Sequence, residues 1–277
     1  MPEPLSIMVA PNGARRTKAD HPAIPVTAEE TAQVVAACAE AGGQAAHLHV
    51  RDRDQRHLLD VDAYRAVIKA VKQQAPADFV CQITTEAVGR YSPREQMAVV
   101  KGVKPEAVSI AVKELVPDAQ AEAEAGAFYE WCRREEVAVQ HILYGTDDMA
   151  AFYDLCRRGV IPGDRLGVLF VLGRYSTNQE SEANMLRPFL EMRDKAGNGP
   201  DLTWMICAFG RGETAAAVAA MAMGGHVRVG FENSLWTPQG DVTKDNAEAV
   251  ARSRRVADEL GRTCATREQT LKVLGAV

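Results

Sequence analysis

Residues 202–231 read LTWMICAFGRGETAAAVAAMAMGGHVRVGF, with two short apolar runs, Leu202–Ala208 and His226–Phe231, on either side of a helical segment. The runs have the length and the apolar, partly β-branched composition of buried strands, whereas the segment at about 211–223 has helical periodicity. Two glycines at 224–225 follow it, where a left-handed residue commonly ends a helix. This stretch predicts a strand–helix–strand unit of the kind that builds parallel sheets.

The same alternation of a short apolar run and a longer helical segment recurs along the whole chain. It predicts eight strands, at Leu5–Ala10, Gln44–Val50, Asp78–Thr84, Ala107–Val112, Val137–Leu143, Leu166–Leu172, Leu202–Ala208 and His226–Phe231. The helices are predicted at about 27–41, 60–74, 92–102, 118–136, 146–159, 179–195, 211–223 and 243–261. Every strand is followed by a helix, and eight such units are the number that closes a barrel.

The sequence therefore predicts an α/β protein with a single (β/α)8 TIM barrel as one domain over residues 1–277. The barrel would span about 5–261, and a C-terminal tail would follow at about 262–277. An open doubly wound sheet is the alternative fold, but no GxGxxG turn of a dinucleotide-binding unit follows the first strand. Capping boxes at Thr27–Glu30 and Ser92–Glu95 support two of the predicted helix starts.

The composition argues against several classes of protein. Of the 277 residues, 47% are hydrophobic and 25% are charged, which is typical of a globular chain rather than a disordered one. The net charge of −5 is spread along the chain with no basic block, so we expect no nucleic acid partner. We see neither a signal peptide nor an apolar run of membrane-spanning length, and we expect a cytoplasmic protein with no membrane partner. The six cysteines stand far apart and fit reduced core residues.

The second predicted strand ends with two histidines, in the run Ala46-His47-Leu48-His49-Val50. Side chains two residues apart on a strand face the same way, and active sites of (β/α)8 barrels lie at the carboxyl ends of the strands. Two imidazoles buried side by side are either satisfied core residues or half of a metal site. We favour the metal site, because two neighbouring imidazoles need a shared partner.

The eighth predicted strand supplies a third candidate ligand, since it runs directly into Glu232. Strands eight, one and two are neighbours in a closed barrel, and a His, His, Glu set with an open position suits catalytic zinc. Arg228 lies four residues earlier, on the same face and deeper in the barrel. We interpret it as either a structural ion pair inside the barrel or a direct contact to substrate.

Three further strand ends carry polar residues. Thr84 and Thr85 follow the third strand, where their hydroxyls either hold a carbonyl or carboxylate group or are ordinary strand-end residues. Gly210 and Arg211 begin the helix after the seventh strand, where backbone N–H groups suit a phosphate or a CoA-like group. The basic loop after the first strand, which includes Arg15, suits an anionic substrate or is a solvated loop.

Several of these motifs occur together in one known family. They are HLHVRD at 47–52, GGHVRVGFEN at 224–233, PAIPVTAEE at 22–30, FVLG at 170–173 and Gly-Arg at 210–211. Over essentially its full length, the chain resembles the β-keto acid cleavage enzymes, the family of 3-keto-5-aminohexanoate cleavage enzyme. The resemblance implies a zinc-dependent TIM barrel, usually a homotetramer. It also implies an acyltransferase activity in which a β-keto acid condenses with acetyl-CoA to give acetoacetate and a new CoA thioester.

The resemblance further implies roles for individual residues. The implied zinc ligands are His47, His49 and Glu232, in agreement with the strand pattern. Arg228 would position the catalytic carboxylate, and Thr84 or Thr85, together with Ser109, would supply hydroxyls that contact substrate.

Three positions depart from the family pattern. The aspartate that serves as base in the family is Asn233 here, and an amide takes up no proton at neutral pH. The acidic pattern of the fifth strand is replaced around Gln140 and His141, either of which would cover a binding role. Arg15 stands where the family contacts an amino-bearing substrate, so we expect an anionic or neutral side chain on the keto acid. The candidates for a relocated base are Glu86, His141, Asp20 and a metal-bound hydroxide.

These observations leave three functions open. The leading hypothesis is an active β-keto acid cleavage enzyme with an altered substrate range and a relocated base. The second is a zinc hydrolase or carbon–carbon lyase that works without CoA, because a His, His, Glu zinc site with an activated water supports either reaction. The third is a zinc-containing ligand binder that has kept its metal and lost its base.

Overall fold

Eight parallel strands close into a barrel in the computed structural model, which describes residues 2–197 and 199–276. The strands of the chain are β1 (Ile7–Val9), β2 (Ala45–Leu48), β3 (Val50–Arg51), β4 (His57–Leu58), β5 (Val80–Thr84), β6 (Ala107–Ala111), β7 (Ala138–Leu143), β8 (Arg165–Leu172), β9 (Asp201–Ala208) and β10 (His226–Val229). Around the ring the order is β1, β10, β9, β8, β7, β6, β5 and β2, and β2 pairs with β1 to close it. The predicted (β/α)8 TIM barrel is confirmed.

Helices connect the strands and surround the barrel. They are α1 (Ala28–Glu40), α2 (Val61–Gln74), α3 (Pro93–Val103), α4 (Val112–Leu115), α5 (Glu122–Arg134), α6 (Thr146–Arg157), α7 (Arg187–Lys195), α8 (Glu213–Ala222), α9 (Asn246–Glu259) and α10 (Arg267–Val273). The capping boxes predicted at Thr27 and Ser92 begin α1 and α3. Within the described ranges, no helix has both the length and the apolar run that a membrane crossing requires.

Three features of the fold differ from the sequence prediction. The chain between β2 and α2 forms a small antiparallel hairpin from β3 and β4. The last barrel strand ends at Val229 rather than Phe231, because Gly230 has a φ of 126° and turns the chain out of the sheet. The tail predicted at 262–277 contains the helix α10, whose end packs beneath the barrel.

The barrel interior has an apolar floor and a polar layer above it. Small residues such as Ala45, Ala107 and Ala138 point inward near the bottom, and Val273 and Leu274 of the C-terminal segment fill the space between them. Because alternate residues on a strand share a face, the next inward positions lie one layer higher. In four neighbouring strands these positions are polar: His47, Gln82, Ser109 and Gln140. The fold thus builds a polar layer toward the carboxyl ends of the strands, where barrel enzymes hold their active sites.

Candidate active site

Two histidines and one glutamate meet at the carboxyl end of the barrel, as the sequence predicts. His47 lies on β2, His49 follows that strand, and Glu232 follows β10; β1 lies between the two strands in the ring. The Nε2 atoms of His47 and His49 are 3.1 Å apart. Glu232 Oε2 lies 3.6 Å from the first of these nitrogens and 3.3 Å from the second. The β1–α1 loop passes directly over this cluster, since a Cβ atom at Gly13 would overlap the Glu232 side chain.

The hydrogen bond of His47 fixes which of its ring nitrogens carries the proton. Gln82 donates through Nε2 to Gln140 Oε1 at 3.1 Å, so its own Oε1 is free to accept. That oxygen lies 2.8 Å from His47 Nδ1, which must therefore be the protonated nitrogen. Burial, followed by the charge of Arg228, lowers the pKa of His47 well below its ordinary value. The imidazole is neutral, and its Nε2 presents a lone pair to the cluster.

His49 is oriented in the same way by a histidine of the hairpin. His57 Nε2 lies 2.9 Å from the carbonyl oxygen of Glu86, which only accepts, so this nitrogen carries the proton of the neutral ring. Burial lowers the pKa of His57 to about 3, and its Nδ1 is left as an acceptor. That atom is 3.4 Å from His49 Nδ1, which donates to it. The His49 Nε2 atom then also presents a lone pair, which faces Glu232.

The cluster therefore brings three acceptor atoms together with no hydrogen between them. Glu232 Oε2 is buried and has no hydrogen-bond partner. Burial alone would raise the pKa of Glu232, but the guanidinium of Arg228 holds it well below the ordinary value, so the carboxylate is ionised. Two nitrogen lone pairs and a carboxylate oxygen repel one another unless a cation lies among them. The three ligand atoms, all within 4.8 Å of one another, fit a divalent metal ion, and a His, His, Glu donor set is one that zinc accepts.

The contact from His57 leads to a prediction about metal affinity. The substitution His57→Phe keeps an aromatic ring in the hairpin and removes the acceptor that fixes the tautomer of His49. We expect zinc to bind roughly 10- to 100-fold more weakly, which is typical of lost outer contacts to a metal ligand. Competition with a chromophoric chelator measures the affinity. His141→Phe, a matched change outside the cluster, should leave it within about twofold, and an equal loss in both variants would refute the assignment.

Arg228 lies beneath the cluster and is almost fully buried. Its Nη2 atom donates to Glu232 Oε1 at 2.8 Å and to Asn233 Oδ1 at 3.3 Å. Burial would lower the pKa of Arg228, but the neighbouring Cys207 and Glu232 raise it overall, so the guanidinium is charged. Of the two interpretations that the sequence left open, the ion pair is present, and Arg228 also lines the pocket described below.

Asn233 is buried behind Arg228 and holds its neighbours through both ends of the amide. Its Nδ2 donates to the Arg228 carbonyl oxygen at 2.8 Å and to Glu213 Oε1 at 3.4 Å. Glu213, the first residue of α8, also accepts the backbone N–H of Gly230 at 3.1 Å. The position at which the resemblance implies a base is thus an amide that links Arg228 to a second buried carboxyl group.

Glu213 gives a prediction for the pH dependence of stability. Burial raises its pKa to about 8 from an ordinary value of 4.5. A carboxyl group whose pKa is raised by folding stabilises the protein fully below about pH 4.5, and this contribution is lost as the pH rises toward about 8. Glu213→Gln keeps the acceptor oxygen and removes the proton equilibrium. Relative to this variant, the wild type should lose a few kcal/mol of unfolding free energy between those pH values, at about 1.4 kcal/mol per unit. Urea unfolding at several pH values measures the difference, and parallel curves for the two proteins would contradict it.

A pocket opens above the cluster and includes several of the predicted site residues. Its lining residues are Asn12, Gly13, Ala14, Arg15, Arg16, His47, Thr84, Glu86, Ile142, Tyr144, Val171, Arg174, Gln179, Phe209, Arg228 and Glu232. The Thr84 hydroxyl accepts the backbone N–H of Glu86 at 3.0 Å and so holds the start of that loop. Thr85 instead donates to the carbonyl oxygen of Ser109 at 3.1 Å. The Ser109 hydroxyl is buried inside the barrel without a partner.

Three further candidates from the sequence also lie away from the pocket wall. His141 faces outward from β7, where its ring packs against Tyr129 and Phe152 and its Nδ1 contacts the Gly167 carbonyl oxygen at 3.2 Å. Its inward neighbour Gln140 lies below the pocket and acts on His47 through Gln82. Asp20 is exposed and accepts the backbone N–H of Thr17 at 2.7 Å. The strand alternation explains the first correction, since only one of two consecutive residues can face the barrel interior.

The predicted anion site at Gly210 and Arg211 is filled by the chain's own carboxylate. Glu180 Oε2 accepts the backbone N–H of Arg211 at 2.7 Å. Gly210 has a φ of 77°, and a Cβ atom there would overlap Glu180. The Arg211 guanidinium stacks 3.9 Å from the centre of the Trp236 ring and donates to the Gly240 carbonyl oxygen. A phosphate group would have to displace Glu180 from this turn.

Sequence reasoning missed His57, Glu213 and Arg174. His57 lies eight residues beyond His49, and only the unpredicted hairpin folds it back onto that ring. Glu213 is sequentially remote from Asn233. Arg174, in contrast, follows the end of β8, and the general rule that catalytic groups follow barrel strands would have found it.

Comparison with known proteins agrees with this geometry. The profile of a family described as beta-keto acid cleavage enzyme matches residues 4–275. The 3-keto-5-aminohexanoate cleavage enzyme of Fusobacterium nucleatum is 30% identical over 290 residues, covering 99% of this chain and 98% of that protein. The 3-oxoadipate:acetyl-CoA acetyltransferase of Cupriavidus necator is 25% identical, covering 99% and 96%.

A solved structure, the binary complex of ObcA with oxaloacetate, superposes with a TM-score of 0.74 at 18% identity, over 92% of this chain and 68% of that one. At that identity the likeness shows a shared fold. The family profile, in contrast, spans nearly the whole sequence and includes both segments that carry the candidate metal ligands. The chain is therefore an enzyme of the β-keto acid cleavage family.

Proposed function

We propose that the protein is a zinc-dependent acyltransferase that condenses a β-keto acid with acetyl-CoA and releases acetoacetate and a new CoA thioester. The keto acid carries an anionic or neutral side chain. The observation that carries the proposal is the cluster of three acceptor atoms, in which both imidazole protons are turned away toward Gln82 and His57. Of the similar proteins, one is named a 3-keto-5-aminohexanoate cleavage enzyme and another a 3-oxoadipate:acetyl-CoA acetyltransferase.

His47, His49 and Glu232 are the residues that would hold the zinc ion. Zinc at this position would act as a Lewis acid that polarises the keto and carboxylate oxygens of the substrate. Arg228 keeps Glu232 ionised and fixes its Oε1 atom, so that Oε2 remains free to bind. Thr84 lines the pocket and is the candidate for a hydroxyl contact to substrate, whereas the Ser109 hydroxyl is buried in the barrel outside the pocket lining.

We propose Glu86 as the base that replaces the missing aspartate. Among the pocket-lining residues it is the carboxylate that lies outside the ligand set. Its Oε1 atom is 3.5 Å from Arg174, and its Oε2 atom is 4.0 Å from His49. A base needs to reach the proton on the carbon between the two substrate carbonyls, and a carboxylate on the pocket wall meets this requirement.

The proposed reaction conserves all atoms. Glu86 removes one proton from the carbon between the keto and carboxylate groups, that carbon forms a bond to the thioester carbonyl carbon of acetyl-CoA, and the bond between this carbonyl carbon and the CoA sulfur breaks. The CoA sulfur then transfers to the original keto carbon, and the bond between that carbon and the deprotonated one breaks. The released fragment takes back the proton from Glu86 as acetoacetate, and the rest of the keto acid leaves as its CoA thioester.

Acetoacetate formation tests the proposal directly. Zinc-loaded protein is incubated with acetyl-CoA and a panel of anionic, neutral and cationic β-keto acids, with metal-free protein as the control. Metal-dependent acetoacetate from an anionic or neutral member would support the proposal. Consumption of the keto acid without acetyl-CoA would indicate the lyase or hydrolase alternative. Binding without any turnover would indicate the ligand binder.

Asn233→Asp separates an enzyme with a relocated base from a binder that has lost its base. The carboxylate would lie between Arg228 and Glu213, where the amide lies now. If Glu86 is the base, the variant should gain little activity or lose some. A gain of more than about tenfold would instead show that the family position still controls proton removal.

Three other expectations from the sequence stay predictions. These are the single domain over residues 1–277, a homotetramer and a cytoplasmic location. Limited proteolysis, sedimentation and cell fractionation, respectively, would test them.

A further inference from the structure

The pocket wall carries more positive charge than the proposed reaction uses. Four arginines, Arg15, Arg16, Arg174 and Arg228, line the pocket beside two carboxylates. Arg228 is paired with Glu232 at 2.8 Å. A zinc ion held by the cluster would bind the one carboxylate that every β-keto acid has, so the remaining arginines are not needed to bind that group.

Arg174 is one of these unused charges, and its side chain is largely buried. It follows β8, and only 11% of its side chain is exposed. Its one ionic contact is to Glu86 Oε1, at a long 3.5 Å. A guanidinium has five N–H groups, so most of those on Arg174 remain free to bind a ligand in the pocket. Its flat face lies 5.3 Å from the centre of the Phe209 ring, which fixes the plane of the group.

Arg16 lies on the neighbouring wall and adds to the same unbalanced charge. It donates to the Phe231 carbonyl oxygen at 2.6 Å and has no ion pair with any described carboxylate. Burial lowers the pKa of Arg16, the charges of Glu213, Asp20 and Glu232 oppose this effect, and the charge of Arg174 makes a smaller lowering contribution. Two guanidinium groups that repel each other across a pocket form a site that an anion would stabilise.

The phosphates of CoA are a poor match for this site. Arg174 is separated from the metal-ligand cluster by the Glu86 carboxylate alone, which contacts Arg174 on one oxygen and His49 on the other. The long pantetheine arm keeps the CoA phosphates away from the thioester carbon that reacts at the cluster. A group that reaches Arg174 while the reacting atoms lie at the cluster must therefore belong to the keto acid.

We infer that the keto acid carries a second carboxylate at the end of its side chain, and that Arg174, assisted by Arg16, binds this carboxylate. The inference rests on the proposed function and narrows its substrate to the β-keto dicarboxylic acids. Arg174 is then a specificity-determining residue, because a guanidinium forms a bidentate pair with a carboxylate. It binds a side chain that ends in a carboxylate more tightly than one that ends in a neutral or cationic group.

A matched pair of substrates tests the inference. 3-Oxoadipate and 3-oxohexanoate have the same number of carbons and differ only in a terminal carboxylate against a methyl group. We expect kcat/KM to favour 3-oxoadipate by about 10- to 100-fold, the range for a hydrogen bond to a charged group. Arg174→Gln should remove most of that preference, because kcat/KM for 3-oxoadipate should fall about 10- to 100-fold more than kcat/KM for 3-oxohexanoate. Any effect of the lost contact to Glu86 is common to both substrates and cancels in their ratio.

The control variant is Arg165→Gln, at the other end of the same strand. Arg165 begins β8 and faces solvent, 3.9 Å from Asp201. The substitution Arg165→Gln should not change the preference for 3-oxoadipate over 3-oxohexanoate. Arg174→Glu should in addition favour 5-amino-3-oxohexanoate, whose side chain is cationic, over 3-oxoadipate. An equal loss for all substrates in Arg174→Gln would show that Arg174 serves only to hold Glu86, and it would overturn the inference.

Calorimetry without acetyl-CoA measures binding of the same compounds to the zinc-loaded protein. It tests the inferred ligand class independently of the proposed reaction. If no acetoacetate forms but 3-oxoadipate binds at least tenfold more tightly than 3-oxohexanoate, and Arg174→Gln abolishes the difference, the ligand class stands and the proposed reaction fails. If acetoacetate forms and the two acids react and bind equally well, the reaction stands and the ligand class is wrong.

Discussion

His47→Ala is expected to abolish zinc binding at micromolar metal and to lower the rate of acetoacetate formation by about 10³-fold or more. The substitution removes one of the three candidate ligands found among the described residues, and two protein ligands would not fix the geometry of a zinc ion. A Lewis acid contributes several kcal/mol to the transition state, and each 1.4 kcal/mol corresponds to about tenfold in rate. Metal content after gel filtration and initial rates under saturating acetyl-CoA measure the two effects.

His226→Ala is the matched control for this prediction. His226 is also buried, but it begins β10 and accepts the backbone N–H of Ser6 at 3.0 Å, at the opposite end of the barrel. It should retain one equivalent of zinc and most of the activity. Full activity of His47→Ala, with circular dichroism unchanged from the wild type, would remove the basis for the metal site.

Arg228→Met is expected to lower the unfolding free energy of the metal-free protein by about 3–5 kcal/mol. The guanidinium is buried and donates to both Glu232 and Asn233. Without it, Glu232 would be left as a buried carboxylate that faces two imidazole lone pairs. Urea unfolding in the presence of a chelator measures the loss, and a change below about 1 kcal/mol would contradict the prediction.

Two further measurements show whether the cause is the uncompensated charge. The double variant Arg228→Met with Glu232→Gln removes both members of the pair and should recover a large part of the lost stability. Saturating zinc should also reduce the effect of Arg228→Met alone, because a bound cation would compensate the same carboxylate. Equal losses in all three experiments would point to packing rather than charge.

The fold and the ligand cluster could be predicted from the sequence for specific physical reasons. Each barrel strand is a short apolar run that must be buried on both faces, so its position is readable without knowledge of its neighbours. The sequence predicts that His47 and His49 share a face because side chains alternate along a strand with a period of two. It predicts that Glu232 lies near them because a closed ring makes the last and first strands neighbours. All three inferences need only strand geometry.

The rest of the site depends on contacts between segments that are remote in sequence. Glu180 reaches the first turn of α8 from the loop after β8, and no local pattern indicates that a carboxylate of the chain will fill that position. Whether Gln140 or His141 faces the interior depends on the register of β7, which a shift of one residue reverses. The environment of Asn233 is set by Glu213, which lies twenty residues earlier, at the start of α8.

The loop between β8 and α7 is fastened to the turn before α8 by contacts that only glycine permits. A Cβ atom at Gly212 would overlap Ser181, and one at Gly210 would overlap Glu180. Arg174 lies at the other end of this loop, whereas the metal-ligand cluster is built from β2 and β10, on a different arc of the ring. Evolution can therefore exchange this loop, and with it the group that selects the substrate, without altering the strands that carry the chemistry. Among natural relatives, we expect these two glycines and the carboxylate of Glu180 to be conserved together or lost together. We expect the residue at 174 to vary with the substrate of the enzyme.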